Sequence, residues 1–516
     1  MKNLFIIILT VVVLGSCSKE LNQQPISANT TASFFSSSAD FVQAVNAIYQ
    51  DLANYPDRLQ NLSEIRSDNV YGVSDGGVRD WEGVNDFWNT LASNTYMDPA
   101  WTQNYNGIMR ANIVLDQLQK KGSSLFTDLV LRNRLKAESK FLRAFFYFDL
   151  VRLFGKVPIF DHPVSNAEAL TIPRSPVSDV YNNVIIPDLL YAQDSLPATF
   201  INTDSKTGKR TATDLGRATK YAAKSLLALV YMTRSGPTYN VEGPGLGLDE
   251  WAQAEALLDD IINSKQYSFL PTQQEIFRYN NEYNGEVIFD INFLSGQTPI
   301  LGSHFPTNMV PEYFATALGK AVIGGSDKPI SGDLLRAFKT GDNRKKSTIH
   351  GPFIYNKNVL DTMSFFQKYL DTTAFPATQA LLGDWPVNFI VSRYTDVLML
   401  KAECILHGAP GSQLTVDTIV NKVRKRAGLA LLPLPANVTL PQLMAERRLE
   451  FAGEGTRWHD LVRSGLVTTV IPAWAASGDD KRGKINPFQP EFIIYPVPLT
   501  EMNVKVGLYD QNAGYQ

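Results

Sequence analysis

Lys136-Ala137-Glu138-Ser139-Lys140-Phe141-Leu142-Arg143-Ala144-Phe145-Phe146-Tyr147-Phe148-Asp149-Leu150-Val151-Arg152-Leu153-Phe154-Gly155 is the stretch from which the fold can be read. Ala137, Phe141, Ala144, Phe145 and Phe148 recur every three or four residues, which is one stripe of a helix. Phe146, Tyr147 and Leu150 fill its other faces. A helix apolar nearly all round, predicted here over Leu129–Leu153, belongs at the centre of a larger body. Gly155 and Pro158 stop it, because glycine takes the conformation a helix end needs and proline cannot continue the ladder.

Outward from this centre the helical period returns repeatedly. Ala39–Ala53 carries Phe41, Val45, Ile48 and Leu52 at helical spacing, with Asp40 as its expected N-cap. Helices are also predicted over Trp101–Gln119, Asp214–Met232, Trp251–Ser264, Ser392–His407 and Thr415–Ala427. Ala218, Ala222 and Ala223, then a loop, then a helix led by Trp251 resemble a tetratricopeptide hairpin, since small residues let helices approach closely. Residues 266–388 are rich in Gly, Pro and aromatics with short strand-like runs such as Glu286–Ile291, and read as an insertion on the helical scaffold.

Lys+Arg 48 against Asp+Glu 51 leaves no basic footprint, so nucleic acid is not an expected partner. The five histidines, at 162, 304, 350, 407 and 459, show no ligand spacing, and neither a phosphate-binding loop nor a nucleophile elbow occurs. No metal and no cofactor are expected. A calcium ion in the acidic loop stays open, without an EF-hand pattern to support it. Between Asn61 and Pro99 the helical period fails, and the stretch carries Asp68, Asn69, Tyr71, Asp75, Arg79, Asp80, Trp81, Glu82, Asp86 and Trp88. Such a long aromatic loop is expected to be ordered and functional. Its carboxylates suit hydroxyl recognition, solvation or, as a less favoured reading, glycoside hydrolysis. Glu446–Phe451 with Gly453–Arg463 reads as two charged helices about a turn, with a structural role expected and Arg447–Glu450 able to pair along one helix.

At the N-terminus, Lys2 precedes an apolar run, Leu4–Leu14, too short to span a bilayer, and Leu14-Gly15-Ser16-Cys17 follows. That tetrapeptide resembles the lipobox of bacterial lipoproteins, which implies removal of 1–16 and lipidation of Cys17. With Cys17 acylated, Cys404 has no partner, and it reads as a buried small hydrophobe.

Four blocks in order carry a wider resemblance. Lys136–Gly155 is similar to the signature helix of the SusD/RagB outer-membrane lipoproteins; Arg393-Tyr394-Thr395-Asp396-Val397-Leu398-Met399-Leu400-Lys401-Ala402-Glu403 is similar to a second block. The Glu446–Arg463 cluster is similar to a third, and Tyr495-Pro496-Val497-Pro498 with Asn512-Ala513-Gly514-Tyr515 to the C-terminal signature. The resemblance implies a mainly α fold, a tetratricopeptide-like helical-pair scaffold with a loop-rich, mostly irregular second half. It divides the chain into signal peptide 1–16, lipid-anchored tether 17–38, N-terminal helical region 39–265 and C-terminal region 266–516. It implies a non-catalytic protein on the outer face of the outer membrane, one that captures an oligosaccharide and delivers it to a TonB-dependent transporter of the SusC type. Peptide uptake, as in the RagB-like branch, is the alternative. A surface glycoside hydrolase and a ligand-free scaffold that holds a transporter lid shut are readings from other classes.

Sugar rings have apolar faces edged by hydroxyls, so a site needs flat aromatics with orienting polar groups. Tyr71, Trp81 and Trp88 are the expected platforms and Asp68, Asn69 and Arg79 the expected hydroxyl contacts, with Tyr283, Phe293 and Trp385 completing the rim. Each aromatic could equally pin its own loop.

Overall fold

The computed structural model describes residues 31–73, 79–203, 210–309, 328–355, 359–371, 383–477 and 485–516. Cys17, the segment 1–16, the first part of the tether and Asp75 lie outside the described residues.

The longer helices are α1 (Ser38–Asp51), α2 (Met97–Leu125), α3 (Leu129–Phe154), α4 (Ile186–Ser195), α5 (Lys220–Ser235), α6 (Trp251–Asn263), α7 (Tyr394–Leu406), α8 (Gln413–Arg426), α9 (Leu440–Phe451) and α10 (Arg457–Ser464). Helices α1 to α8 pack as a succession of neighbours: α1 on α2, α2 on α3, α3 on α4, and so on to α7 on α8. The fold is mainly helical. From 264 to 388 the described chain forms short turns, short strands and two six-residue helices, Gly332–Ala337 and Asn343–Thr348, and Val287–Ile291 pairs antiparallel with Phe389–Arg393.

Helix α3 is the axis of the body. Its second half is buried on every side, as the aromatic run predicts. At Gly107 of α2 a methyl group would come within 2.2 Å of the Phe146 ring, so the two helices touch only because that residue has no side chain. Gly155 has φ 68°, and a side chain there would meet the Glu242 carbonyl at 1.9 Å, so both conformation and space demand glycine.

Three charged residues of α3 are buried too, each against a partner from outside the helix. Arg143 forks onto Asp188 of α4 at 2.7 and 3.0 Å, Glu138 receives Arg217 at 2.7 Å, and Asp149 receives Arg58 at 2.7 Å. Breaking one partner of such a pair typically costs about 3–5 kcal/mol, which makes the contacts specifying as well as cohesive.

One cap differs from expectation. Ser37, not Asp40, is the N-cap of α1, and Asp40 lies three residues inside it. Its carboxylate reaches back to accept from the backbone N–H groups of Ser36 and Ser37 at 3.0 and 2.7 Å.

Candidate functional site

The Glu446–Arg463 cluster forms the interior joint between scaffold and loops. Arg447 pairs not with Glu450 but with Asp460 and, at 2.7 Å, with Asp396 of α7. Arg463 forks onto Glu403 at 2.8 and 2.7 Å. Glu450 instead receives Arg393 at 3.0 Å and Arg426 at 2.6 Å. These groups are enclosed and paired with one another, which is a structural arrangement.

Asp68 and Asn69 belong to this interior. Asp68 is 1% exposed, and Arg457 grips both its oxygens at 2.8 and 2.9 Å. Burial alone would raise its pKa, but Arg448 and Arg457 outweigh that and hold it at about 2. Asn69 donates to Glu64 at 2.8 Å and accepts from Arg448 at 2.8 Å. The hydroxyl contacts expected of both residues are therefore unavailable in this arrangement: their polar groups face protein.

The aromatic loop is fastened from below by Arg66. Its guanidinium lies 4.3 Å from the Phe87 ring centre, 4.9 Å from Tyr495, 5.5 Å from Trp458 and 5.9 Å from Phe492. Its N–H groups donate to the Val84 and Phe492 carbonyls and to the Tyr515 hydroxyl. Above this anchor, Tyr71 is buried, while Trp81 and Trp88 are half-buried. Trp88 lies over Gly83, where a methyl group would come to 3.0 Å of its ring.

Trp81 is held by its indole N–H, which donates to the Val73 carbonyl at 3.0 Å. Arg79 and Lys328 each stand 5.8 Å from its ring centre, within cation–π range. Lys328 also stands 6.0 Å from the Tyr96 ring and donates to Asn61 at 3.0 Å. Through Lys328 the platform meets a cleft of about 340 Å³, lined by Asn54, Asp57, Asn61, Tyr96, Gln103, His304 and Asn308 among others. Asp57 accepts from Asn308 at 2.5 Å and contacts His304 Nδ1 at 3.1 Å. The hydrogen bond to Asp57 raises the His304 pKa.

The rim residues from the second half do not line this cleft. Trp385 is 4% exposed and donates its indole N–H to Thr307 at 2.9 Å, so it is a core residue. Phe293 is half-buried, with its backbone N–H on Asn388 at 2.9 Å. Tyr283 lines a different cleft, together with Phe200 and Tyr267. The sequence reading missed Tyr96, Asp57, Gln103, His304, Asn308 and Lys328. Only the polar row Asn54, Asp57 and Asn61, at helical spacing, carried a signal for them.

Among the described residues no three His, Cys, Asp or Glu side chains are grouped to hold a metal ion. No described helix is long and apolar enough to cross a membrane.

Two family models match the chain. One, described as starch-binding and associating with the outer membrane, covers residues 21–232, and one described as the SusD family covers 355–515. The SusD-like protein P25 of Formosa agariphila is 25% identical over 99% of this chain and 98% of its own length. The starch-binding protein SusD of Bacteroides thetaiotaomicron is 24% identical over 74% of this chain and 73% of its own. Among solved structures, surface glycan-binding protein A from Bacteroides thetaiotaomicron, in complex with laminarihexaose, superposes with a TM-score of 0.75 at 23% identity, covering 93% of this chain and 100% of that one. A laminarin-binding SusD-like protein superposes with a TM-score of 0.72 at 24% identity over 93% and 100% of the two chains. At these identities the superpositions speak for the fold.

Proposed function

The chain belongs to the SusD/RagB family, and from that premise we propose that it is a non-catalytic binding protein that captures an oligosaccharide at the cell surface. The observation that carries this reading is Trp81, a half-buried ring flanked by two cations, one of which, Lys328, bonds Asn61 in the wall of a polar cleft. A flat apolar face beside amides, a carboxylate and an imidazole matches a sugar ring, which is apolar across its face and hydroxylated at its edge. Relatives named for binding starch and laminarin support the same ligand class.

In this reading Trp81 and Tyr96 stack on the ligand and Arg79, Asn61, Asp57 and His304 bond its hydroxyls, with Trp88 and Tyr71 shaping the loop. Cys17 carries the lipid that holds the protein on the outer membrane, after removal of 1–16. A TonB-dependent transporter of the SusC type receives the glycan.

The test is retention in native gels cast with laminarin, starch, xylan, galactomannan or pectin. Trp81→Ala combined with Tyr96→Ala is expected to lower affinity for the retained polysaccharide about 30-fold, the loss of roughly 2 kcal/mol from a stacked aromatic anchor. Unchanged affinity in a variant with native circular dichroism removes this site. Cys17→Ser is expected to release the protein from membranes, and co-purification with the transporter tests the partner.

A further inference from the structure

Two clefts follow one another along a single helical run, and a third adjoins the second. The residues from Ser38 to Glu64 stay helical through α1, a tight turn at Leu52–Asn54, Tyr55–Leu59 and a wider turn at Gln60–Glu64. Asn46, Gln50, Asn54, Asp57 and Asn61 recur along it at steps of four, four, three and four, which is one face. At about 1.5 Å of rise per residue the row is about 22 Å long. Its far end, Asn61, Asp57 and Asn54, lines the cleft beside Trp81. Its near end, Gln50 and Asn46, lines a second cleft of about 220 Å³. That cleft shares Gly216, Arg217 and Asp290 with a third, of about 230 Å³, where Phe200, Tyr267 and Tyr283 stand.

Two features of the third cleft set it apart from packing debris. Tyr283 holds φ 55°, a left-handed backbone that costs a bulky residue of order 1–3 kcal/mol. Asp290 is 4% exposed and accepts a hydrogen bond from Asn388 at 3.1 Å; among the described residues no cation pairs with it. A buried carboxyl that lines both clefts where they meet is placed to meet a ligand hydroxyl.

We infer that the three clefts are one groove, aromatic at both ends and floored by a row of amides, that binds an extended linear glycan along α1 and not a short sugar at Trp81 alone. This rests on the glycan reading above. Asn and Gln side chains each present a donor and an acceptor, as the successive hydroxyls of a polysaccharide do. Stacking on Trp81 and Tyr96 holds one end of the chain, and Tyr267 and Tyr283 hold the other.

The experiment uses the full chain and oligosaccharides, from disaccharide to decasaccharide, cut from whichever of the five polysaccharides retains the protein. Wild-type affinity is expected to climb with chain length. Asn46→Ala with Gln50→Ala, both on exposed helical positions of the second cleft, is expected to leave the shortest binding oligomer unaffected and weaken the longest about tenfold. Tyr267→Ala is expected to do the same. Equal affinity for short and long oligomers in the wild type, or long-chain binding unmoved by both variants, overturns the groove and leaves the Trp81 site standing. No retention by any polysaccharide overturns both.

Discussion

Arg393 lies among carboxylates and Arg66 among rings, although both are sealed from water to within 1% exposure. Arg393 gives its N–H groups to Glu450 and Glu454 at 2.8–3.0 Å, and Arg426, Arg344 and Lys368 crowd the same two acids. Arg66 has no carboxylate partner among the described residues; it has four aromatic faces, two carbonyls and one hydroxyl. The first solution neutralises charge with charge and makes every member depend on the others. The second spreads one charge over polarisable rings and asks its surroundings for neutral acceptors, not for a countercharge. The charge lattice joins the second half to the helices, and the ring cage sits under the loop that offers Trp81.

The sharpest way to break that contrast is Glu450→Gln. It leaves several enclosed cations facing a neutral amide, and a loss of about 3–5 kcal/mol is expected in denaturant unfolding. Acid probes the same lattice. Burial tends to raise the Glu450 pKa, but Arg426, Arg393, Arg344 and Lys368 outweigh it and hold it at about 2. Its stabilisation is therefore complete above the unfolded carboxylate value near 4 and is lost as pH falls towards 2, a slope the Gln variant should lack.

Arg66→Met is the matching change in the cage. It strands the Val84 and Phe492 carbonyls, and a loss of about 1–3 kcal/mol is expected, the same at pH 4 as at pH 7. A loss that grew or shrank with pH would mean that a hidden carboxylate serves this arginine after all.

Asp290 has neither solution. Burial lifts its pKa to about 7. An acid whose folded pKa is raised makes the protein less stable as pH climbs from about 4 to about 7, because the folded state must then give up a proton it holds more tightly than the unfolded state does. Asp290→Asn keeps an acceptor for Asn388 and should gain at least about 1 kcal/mol at pH 8 while changing little at pH 4. A variant weaker than wild type at pH 8 would show that the carboxylate is paired.

What the sequence disclosed followed from how far apart the partners stand along the chain. Helix α3 was legible because its stripe and its Gly155 stop are written within one segment. The charged cluster was legible as structural, yet its pairings were not: spacing suggested Arg447 with Glu450, whereas each is claimed by residues from other helices. Asp68 and Asn69 looked like loop residues for a ligand, and they are buried because Arg448 and Arg457, nearly four hundred residues later, close over them. The same distance hid the cleft, where Asp57 meets His304 and Asn308 across about 250 residues. Tyr71, Arg79, Trp81 and Trp88, which the proposed site keeps, could be named from the sequence because they share one short loop.

The cage under the loop has a consequence for how the protein is made. Arg66 and the Tyr515 hydroxyl it holds are separated by 449 residues. A nascent chain leaving the ribosome thus carries Phe87 and the Arg66 charge uncovered until almost all of the described sequence has been made. Chaperone binding sites on the growing polypeptide should accordingly concentrate between residues 66 and 88, and vanish only when the segment bearing Tyr495 and Tyr515 arrives.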